Sequence, residues 1–386
     1  MRVSHVITRL IVGGAQENTV ASVLGLREKP GIAVELISGP THGPEGTLEG
    51  VFKPFPGLLT VIPSLVRPVH PWADFLACRA LTRHFRRQRP DVVHTHSGKA
   101  GILGRIAAAR AGVPLVVHTI HGPSFGTFQG ALANAVFTAA ERRAARVTNH
   151  FVVVARAMAE QYLGAGIGTP EAYSLIPSGF PLDPFLQARN DPALRLRLGL
   201  QPEDFVVGKI ARLFKLKGHD DLFAAAPGLV RRNPRIKFLL VGDGEWRERF
   251  EALARSLGLE RHVVFTGLVP PAEIPALVGI MDALVHLSTR EGLPRALPQA
   301  LAAARPVVAY DCDGAREICL EGETGFLVQP GDVARLTDRL LELAGDPGLR
   351  ERLGRRGQEI VRHRFSVTGM VDALHALYLR LAGAQR

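Results

Sequence analysis

Very little in this chain can cross-link it. Its 386 residues include three cysteines, Cys78, Cys312 and Cys319, too few for a disulfide framework or a cysteine-built zinc site. That usage predicts an intracellular, reducing compartment. Long apolar runs are also missing: no stretch of about 18 uncharged apolar residues exists, which argues against a spanning helix. The opening MRVSHVITRLIVGGAQ starts apolar, but Arg9 interrupts it and no small-residue cleavage site follows. It reads as a first strand and not as a signal peptide. Aromatic residues make up only 6% of the chain, with no helix-turn-helix, zinc-finger or aromatic RNA-binding signature, so nucleic acid is not an expected partner. G-x-G-x-x-G is absent, and no acidic residue is suitably placed after the second strand, so a nicotinamide cofactor is not indicated.

Acidic residues are in deficit, leaving a net charge of +11. Residues 1–185 hold 18 Lys+Arg against 11 Asp+Glu, and the remainder holds 29 against 25, so most of the excess lies in the first half. It is densest in CRALTRHFRRQRPD, where Arg79, Arg83, Arg86, Arg87 and Arg89 crowd together. Arg79, Arg83, Arg86 and Arg87 share a helical face that suits an anionic membrane surface. The same face would equally serve as a solvated cover over Leu81 and Phe85.

Short apolar runs alternate with helical patterns from end to end. RVSHVI, VELIS, DVVHTH, LVVHTI and HFVVVA are followed by VVGKIA, KFLLVG, VVFTG, ALVHL, PVVAY and GFLV. Near-continuous apolar strands separated by helices of about 10 to 15 residues predict parallel sheets covered on both faces. The series restarts at VVGKIARL, after PSGFPLDPFLQARNDPALRLRLGLQPED, a Pro- and charge-rich stretch that reads as a linker. The expectation is two doubly wound α/β domains, 1–185 and 186–365. Ligands of such sheets bind at the strands' carboxyl ends, here in the cleft between the two domains.

Several stretches carry chemistry. Gly13-Gly14, between a strand and a helix, lets backbone come close to a ligand, although a tight turn would need the same glycines. In IARLFKLKGHDDL, Arg212, Lys215 and Lys217 precede a helix start marked by Gly218 and the Asp220-Asp221 pair, an arrangement suited to neutralising a departing pyrophosphate. VGDGEW places Gly242 in a turn that is either the floor of a nucleotide site or a simple connection. His94, His96, His118 and His121 fall at strand ends. His94 and His96 share a face, but no carboxylate or cysteine completes a metal shell, so no metal site is expected. His121, with Gly122 following in a loop, is the better candidate for a histidine that contacts a sugar or handles a proton. In STREGLPRALPQALAAARPVVA, Glu291 can accept from paired sugar hydroxyls. Gly292, Leu293, Pro294 and Arg295, at a helix start, can hold a phosphate oxygen.

HTHSGKAGILGRIAA, HTIHGPSF, IPSGFPLDPF, the Arg212/Lys217 pair, VVFTGLV and EGLPRALPQALAAARPVVA occur in the order found in retaining glycosyltransferase family 4, the group 1 glycosyl transferases, which the chain resembles over nearly its whole length. The resemblance implies a GT-B fold of two Rossmann-like domains, with a last helix at about 366–386 crossing back onto the N-terminal domain. It implies metal-independent transfer of a sugar, with retention, from a nucleotide diphosphate sugar, of uridine type, without a cofactor. The acceptor would be a glycan or lipid-linked, in envelope or extracellular polysaccharide synthesis. Arg212 and Lys217 match the cations on the pyrophosphate, Glu291 the first carboxylate of a Glu–seven residues–Glu motif, and His121 the histidine near the transferred sugar. Gly14 matches the glycine near the β-phosphate, Leu268 the position whose backbone meets the base, and Lys99, with His96, the acceptor side. The cytoplasm, at the inner face of a membrane, is the implied location. Two positions depart from the pattern: Ser178 stands where the family often has Asn, and Gln299 where it has the second glutamate, which holds the ribose. Gln299 keeps open a non-catalytic nucleotide-sugar-binding relative, and the two-domain architecture a nucleotide-sugar epimerase.

Overall fold

Every apolar run named above becomes a strand. The computed structural model describes residues 1–43, 45–126 and 128–384, and the chain divides into two units, Met1–Phe180 with Ser366–Arg386, and Pro181–Phe365. The first unit runs β1 (Arg2–Ile7), α1 (Gly14–Arg27), β2 (Ala33–Ser38), β3 (Leu59–Val61), α2 (Pro71–Gln88), β4 (Val92–His96), α3 (Gly98–Ala111), β5 (Leu115–Ile120), α4 (Ala131–Ala145), β6 (His150–Val153), α5 (Arg156–Gly164) and β7 (Tyr173–Leu175). Its strands lie in the order β3-β2-β1-β4-β5-β6-β7, and each pairing is parallel. The edge strands β3 and β7 are three residues each, too short to show a period in the sequence. Glycines let α3 lie close on the sheet: a Cβ at Gly101 would come within 2.5 Å of the His118 ring, and one at Gly104 within 2.7 Å of Thr95.

The second unit continues with α6 (Asp183–Leu186), α7 (Pro192–Arg197), β8 (Phe205–Ile210), α8 (His219–Arg232), β9 (Ile236–Val241), α9 (Arg247–Ser256), β10 (Val263–Gly267), α10 (Ile274–Gly279), β11 (Ala283–His286), α11 (Ala296–Ala302), β12 (Val307–Tyr310), β13 (Gly325–Val328), α12 (Val333–Gly345) and α13 (Pro347–Arg362). Here the order is β10-β9-β8-β11-β12-β13, again all parallel. The division at Phe180/Pro181 falls before the expected boundary at 185/186, and the stretch read as a linker is built into this unit. The reason is Arg195. Its guanidinium is buried and donates to the carbonyls of Asp204 (3.0 Å) and Ile280 (2.9 Å) and to Asp282 Oδ2 (2.8 Å). Proline content resembles a linker, but one buried cation with these partners anchors the segment.

The chain then returns to the first unit as α14 (Val367–Gly383). Met370, Val371, Leu374, Leu377 and Tyr378 join Val3, Leu26, Val92, Val117 and Ile176 in one buried cluster. Gly25 of α1 makes room for this helix, since a Cβ there would sit 2.4 Å from Val371 Cγ2. No described helix is long and apolar enough to cross a membrane.

Candidate active site

In each sheet the strand order reverses once, between β1 and β4 and between β8 and β11. At such a reversal the loops leaving the two strands run to opposite sides, which is where open α/β sheets take ligands, at the strands' carboxyl ends. In the second unit Arg212 and Lys217 follow β8, and Glu291 follows β11. The β8–α8 turn is held in an uncommon backbone conformation, with Leu216 at φ 68° and Gly218 at φ 65°. Leu216 accepts a hydrogen bond from the Thr289 amide (3.0 Å). A Cβ at Gly218 would fall 2.0 Å from the Leu287 carbonyl oxygen, so the turn closes against the β11 loop only with glycine there.

This docking brings Lys217 Nζ onto Glu291 Oε1. Burial alone would raise the Glu291 carboxyl, but the Lys217 ammonium holds it below the usual carboxylate range. The backbone of Glu291 is fixed as well, its amide donating to Asp313 Oδ2 at 2.8 Å. Arg212 is exposed, its guanidinium 5.7 Å from the Phe214 ring centre. Gly242, at φ 131°, lets the end of β9 meet the end of β8, a Cβ there being 2.4 Å from the Ala211 carbonyl oxygen. Leu268 is largely exposed just after β10. Gly292, Leu293 and Pro294 are buried ahead of α11, and Gln299 lies in that helix, partly exposed. Pro298 falls in its first turn, where a missing amide hydrogen costs nothing.

Beneath the Lys217–Glu291 pair sits a set of polar groups that sequence reading missed. Lys209, on β8, is 1% exposed with Nζ unpartnered; burial first, then the neighbouring Lys217, push its ammonium down to about 7. His219 and His286 are buried too, and burial lowers them to about 2 and about 3. Lys209 could have been noticed as a cation inside an apolar strand run, where charge is rarely buried without a purpose.

In the first unit Gly13 caps α1 in extended backbone, and Gly14 begins the helix. Lys99, in the first turn of α3, is paired with Asp74 and donates to the Pro68 carbonyl. His121, in the loop after β5, meets His96 Nδ1 through its Nε2 at 3.0 Å. His96, expected on the acceptor side, lies inside the first unit. His96 is 1% exposed, and its other nitrogen is 2.9 Å from His5 Nδ1. The pleat does put His94 and His96 on one face, their ring centres 4.4 Å apart, but that face looks onto β1 and its His5. His118 points to the opposite face and bonds Thr95 Oγ1 (2.9 Å). Histidine nitrogens of His5, His94 and His96 lie within 4.8 Å of one another. His5 and His96 stack, and the nitrogens of the three rings are engaged with each other, Tyr378 and Thr119.

The profile described as "Glycosyl transferases group 1" matches residues 190–360, and that of the "Glycosyl transferase 4-like domain" matches 13–179. The UDP-Gal:alpha-D-GlcNAc-diphosphoundecaprenol alpha-1,3-galactosyltransferase of Escherichia coli is 29% identical, over 82% of each chain. The 2-deoxystreptamine glucosyltransferase of Streptomyces kanamyceticus is 30% identical over 86% of this chain and 88% of its own. Among solved structures, Anabaena HepE in complex with UDP-glucose superposes with a TM-score of 0.82 at 22% identity, over 98% of this chain and all of that one. The shared fold is GT-B.

Proposed function

The chain belongs to the group 1 glycosyl transferases, and from that premise we propose that it moves a sugar from a nucleoside diphosphate donor to a glycan or lipid-linked acceptor, with retention at the anomeric carbon. The observation that carries this reading is the Lys217–Glu291 pair at the β8/β11 reversal, with Arg212 on the same turn. Opened by a donor, the pair supplies what the reaction needs. Lys217 and Arg212 neutralise charge as it builds on the leaving diphosphate, where fixed cations act more strongly on the transition state than on the bound donor. The Glu291 carboxylate, already ionised, accepts from the hydroxyls of the sugar. Two cations so placed do the work a divalent ion does elsewhere, so we propose transfer without a resident metal.

A uridine-type donor is supported by the UDP-glucose held by HepE and by the UDP-galactose in the name of the Escherichia coli relative. That relative's diphosphoundecaprenol acceptor supports a lipid-linked substrate, and with it we place the chain in envelope polysaccharide synthesis at the cytoplasmic face of a membrane. Helix α2 supports that location, with Arg79, Arg83, Arg86 and Arg87 exposed and Trp72, Phe75 and Leu76 exposed on its first two turns. Incubation with UDP-, GDP- and ADP-sugars, with and without undecaprenyl-linked acceptors and with EDTA, tests the reading. Release of UDP that persists in EDTA is expected; neither turnover nor diphosphate binding with any of the donors defeats it.

A further inference from the structure

The histidines of the first unit form one hydrogen-bonded chain. His121 Nε2 meets His96 Nδ1 at 3.0 Å, His96 Nε2 meets His5 Nδ1 at 2.9 Å, and His5 Nε2 lies 3.4 Å from the Tyr378 hydroxyl. The same hydroxyl is 2.5 Å from His94 Nδ1, and His94 Nε2 ends the chain on Thr119 Oγ1 at 2.6 Å. Burial keeps these imidazoles neutral, His5 and His121 being lowered to about 3 and His94 and His96 well below the ordinary histidine value. A neutral imidazole has one N–H and one bare nitrogen. The tautomer of each member therefore dictates that of its neighbour, and the chain has two consistent settings.

Tyr378 selects between them. In the setting that gives the shorter contact to its donation, its hydroxyl, 2.5 Å from His94 Nδ1 and 3.4 Å from His5 Nε2, passes its single proton to His94 and accepts from His5. His94 then donates Nε2–H to Thr119. In the other direction, His5 is protonated at Nε2 and accepts at Nδ1 from His96 Nε2–H. His96 in turn accepts at Nδ1 from His121 Nε2–H. What remains is Nδ1 of His121, a bare lone pair that no described residue engages.

We propose that Tyr378, on the last helix, is a positioning residue that acts through His5 and His96 to hold His121 with Nδ1 as an acceptor, ready for a hydroxyl of the transferred sugar. The inference rests on the assignment of His121 to that sugar. It gives the buried histidines a use that simple mutual satisfaction would not require, because satisfaction is met by either setting and only one leaves an acceptor at the strand ends.

Side-chain nitrogen NMR of the full chain without donor reads the tautomer directly. His121 is expected as the Nε2–H form. Tyr378→Phe leaves a buried His5 Nε2–H without an acceptor, which costs more than a bare nitrogen there. The chain should reverse, His121 should move to the Nδ1–H form, and kcat should fall about tenfold with donor KM within about twofold, the worth of one hydrogen bond to the reacting sugar. His121 found as Nδ1–H in the natural protein overturns the proposal, and that spectrum decides even if the variant does not fold. A folded Tyr378→Phe protein with unchanged tautomer, or with a reversed tautomer and unchanged kcat, overturns it too. A natural protein showing Nε2–H but transferring no sugar supports the tautomer chain and sinks the glycosyl-transfer reading instead.

Discussion

Two side chains settle how much of the transfer reading depends on charge. Lys217→Ala is expected to lower kcat about 10²- to 10³-fold, the range for removing one donor from developing oxyanion charge. Arg255→Ala, a cationic change on α9 with no assigned role, serves as the control, and equal losses in steady-state assays of the two variants would contradict the assignment of Lys217. Gln299 is the opposite case. A neutral hydrogen bond contributes about 0.5–1.5 kcal/mol and a charged one about 1.5–3. Gln299→Glu should thus tighten UDP by somewhat under tenfold with little change in kcat, read by calorimetric titration; unchanged affinity would mean that this position does not hold the ribose. Lys217 stands out in the sequence because its turn is local, and Gln299 only as a departure from a family motif. The pairing of Lys217 with Glu291 does not stand out, since it arises where two turns 74 residues apart close on one another. His5 was missed for the same reason: only the β1–β4 pairing brings it beside His96.

Among the elements, α2 carries the membrane proposal. Its early aromatics, Trp72 and Phe75, stack with ring centres 5.7 Å apart and are 65% and 50% exposed. That is unusual for side chains that large, and the cations follow on the next turns. Anionic vesicles should retain the full chain at low salt and neutral phosphatidylcholine vesicles should not. Arg79→Glu with Arg83→Glu should weaken sedimentation with phosphatidylglycerol vesicles at least tenfold, at about 1 kcal/mol per basic residue. Equal retention of the double variant would remove α2 from that role. The arginines of this helix stood out in the sequence, whereas its aromatics did not, because exposure is decided by which face packs on α3. The eleven longer strands were readable from continuous apolar runs. The three-residue edges β3 and β7 were not, because so short a strand depends on its neighbour for its conformation. Composition misled at Pro181–Leu186, where proline and charge stand in a segment held down by α10 and α11.

Across the whole molecule, neutral buried histidines make stability depend on acid. His5, His94, His96, His118 and His121 in the first unit and His219 and His286 in the second are all held below the ordinary value, burial being the first cause in each. Unfolded, they take protons near pH 6.5; folded, they refuse them until well below. Their contribution is present in full above about pH 6.5 and drains away as pH falls toward 3, each proton adding about 1.4 kcal/mol per pH unit to the slope. Denaturant midpoints at pH 7.5, 6 and 5 should therefore fall steeply, and a flat profile would show that these rings are charged in the folded protein.

The return of the chain at Ser366 orders events during synthesis. Phe180 and Ser366 are bridged, with no room for a side chain at Gly179, so everything from Pro181 to Phe365 is an uninterrupted length of polypeptide. All of its strands and helices are translated before α14. The first unit is different: the apolar strip on Val3, Leu26, Val92 and Val117 is covered by Met370, Leu374 and Tyr378, which are translated after the second unit. A chain cut short of α14 therefore keeps the second unit's whole stretch and leaves that strip of the first uncovered.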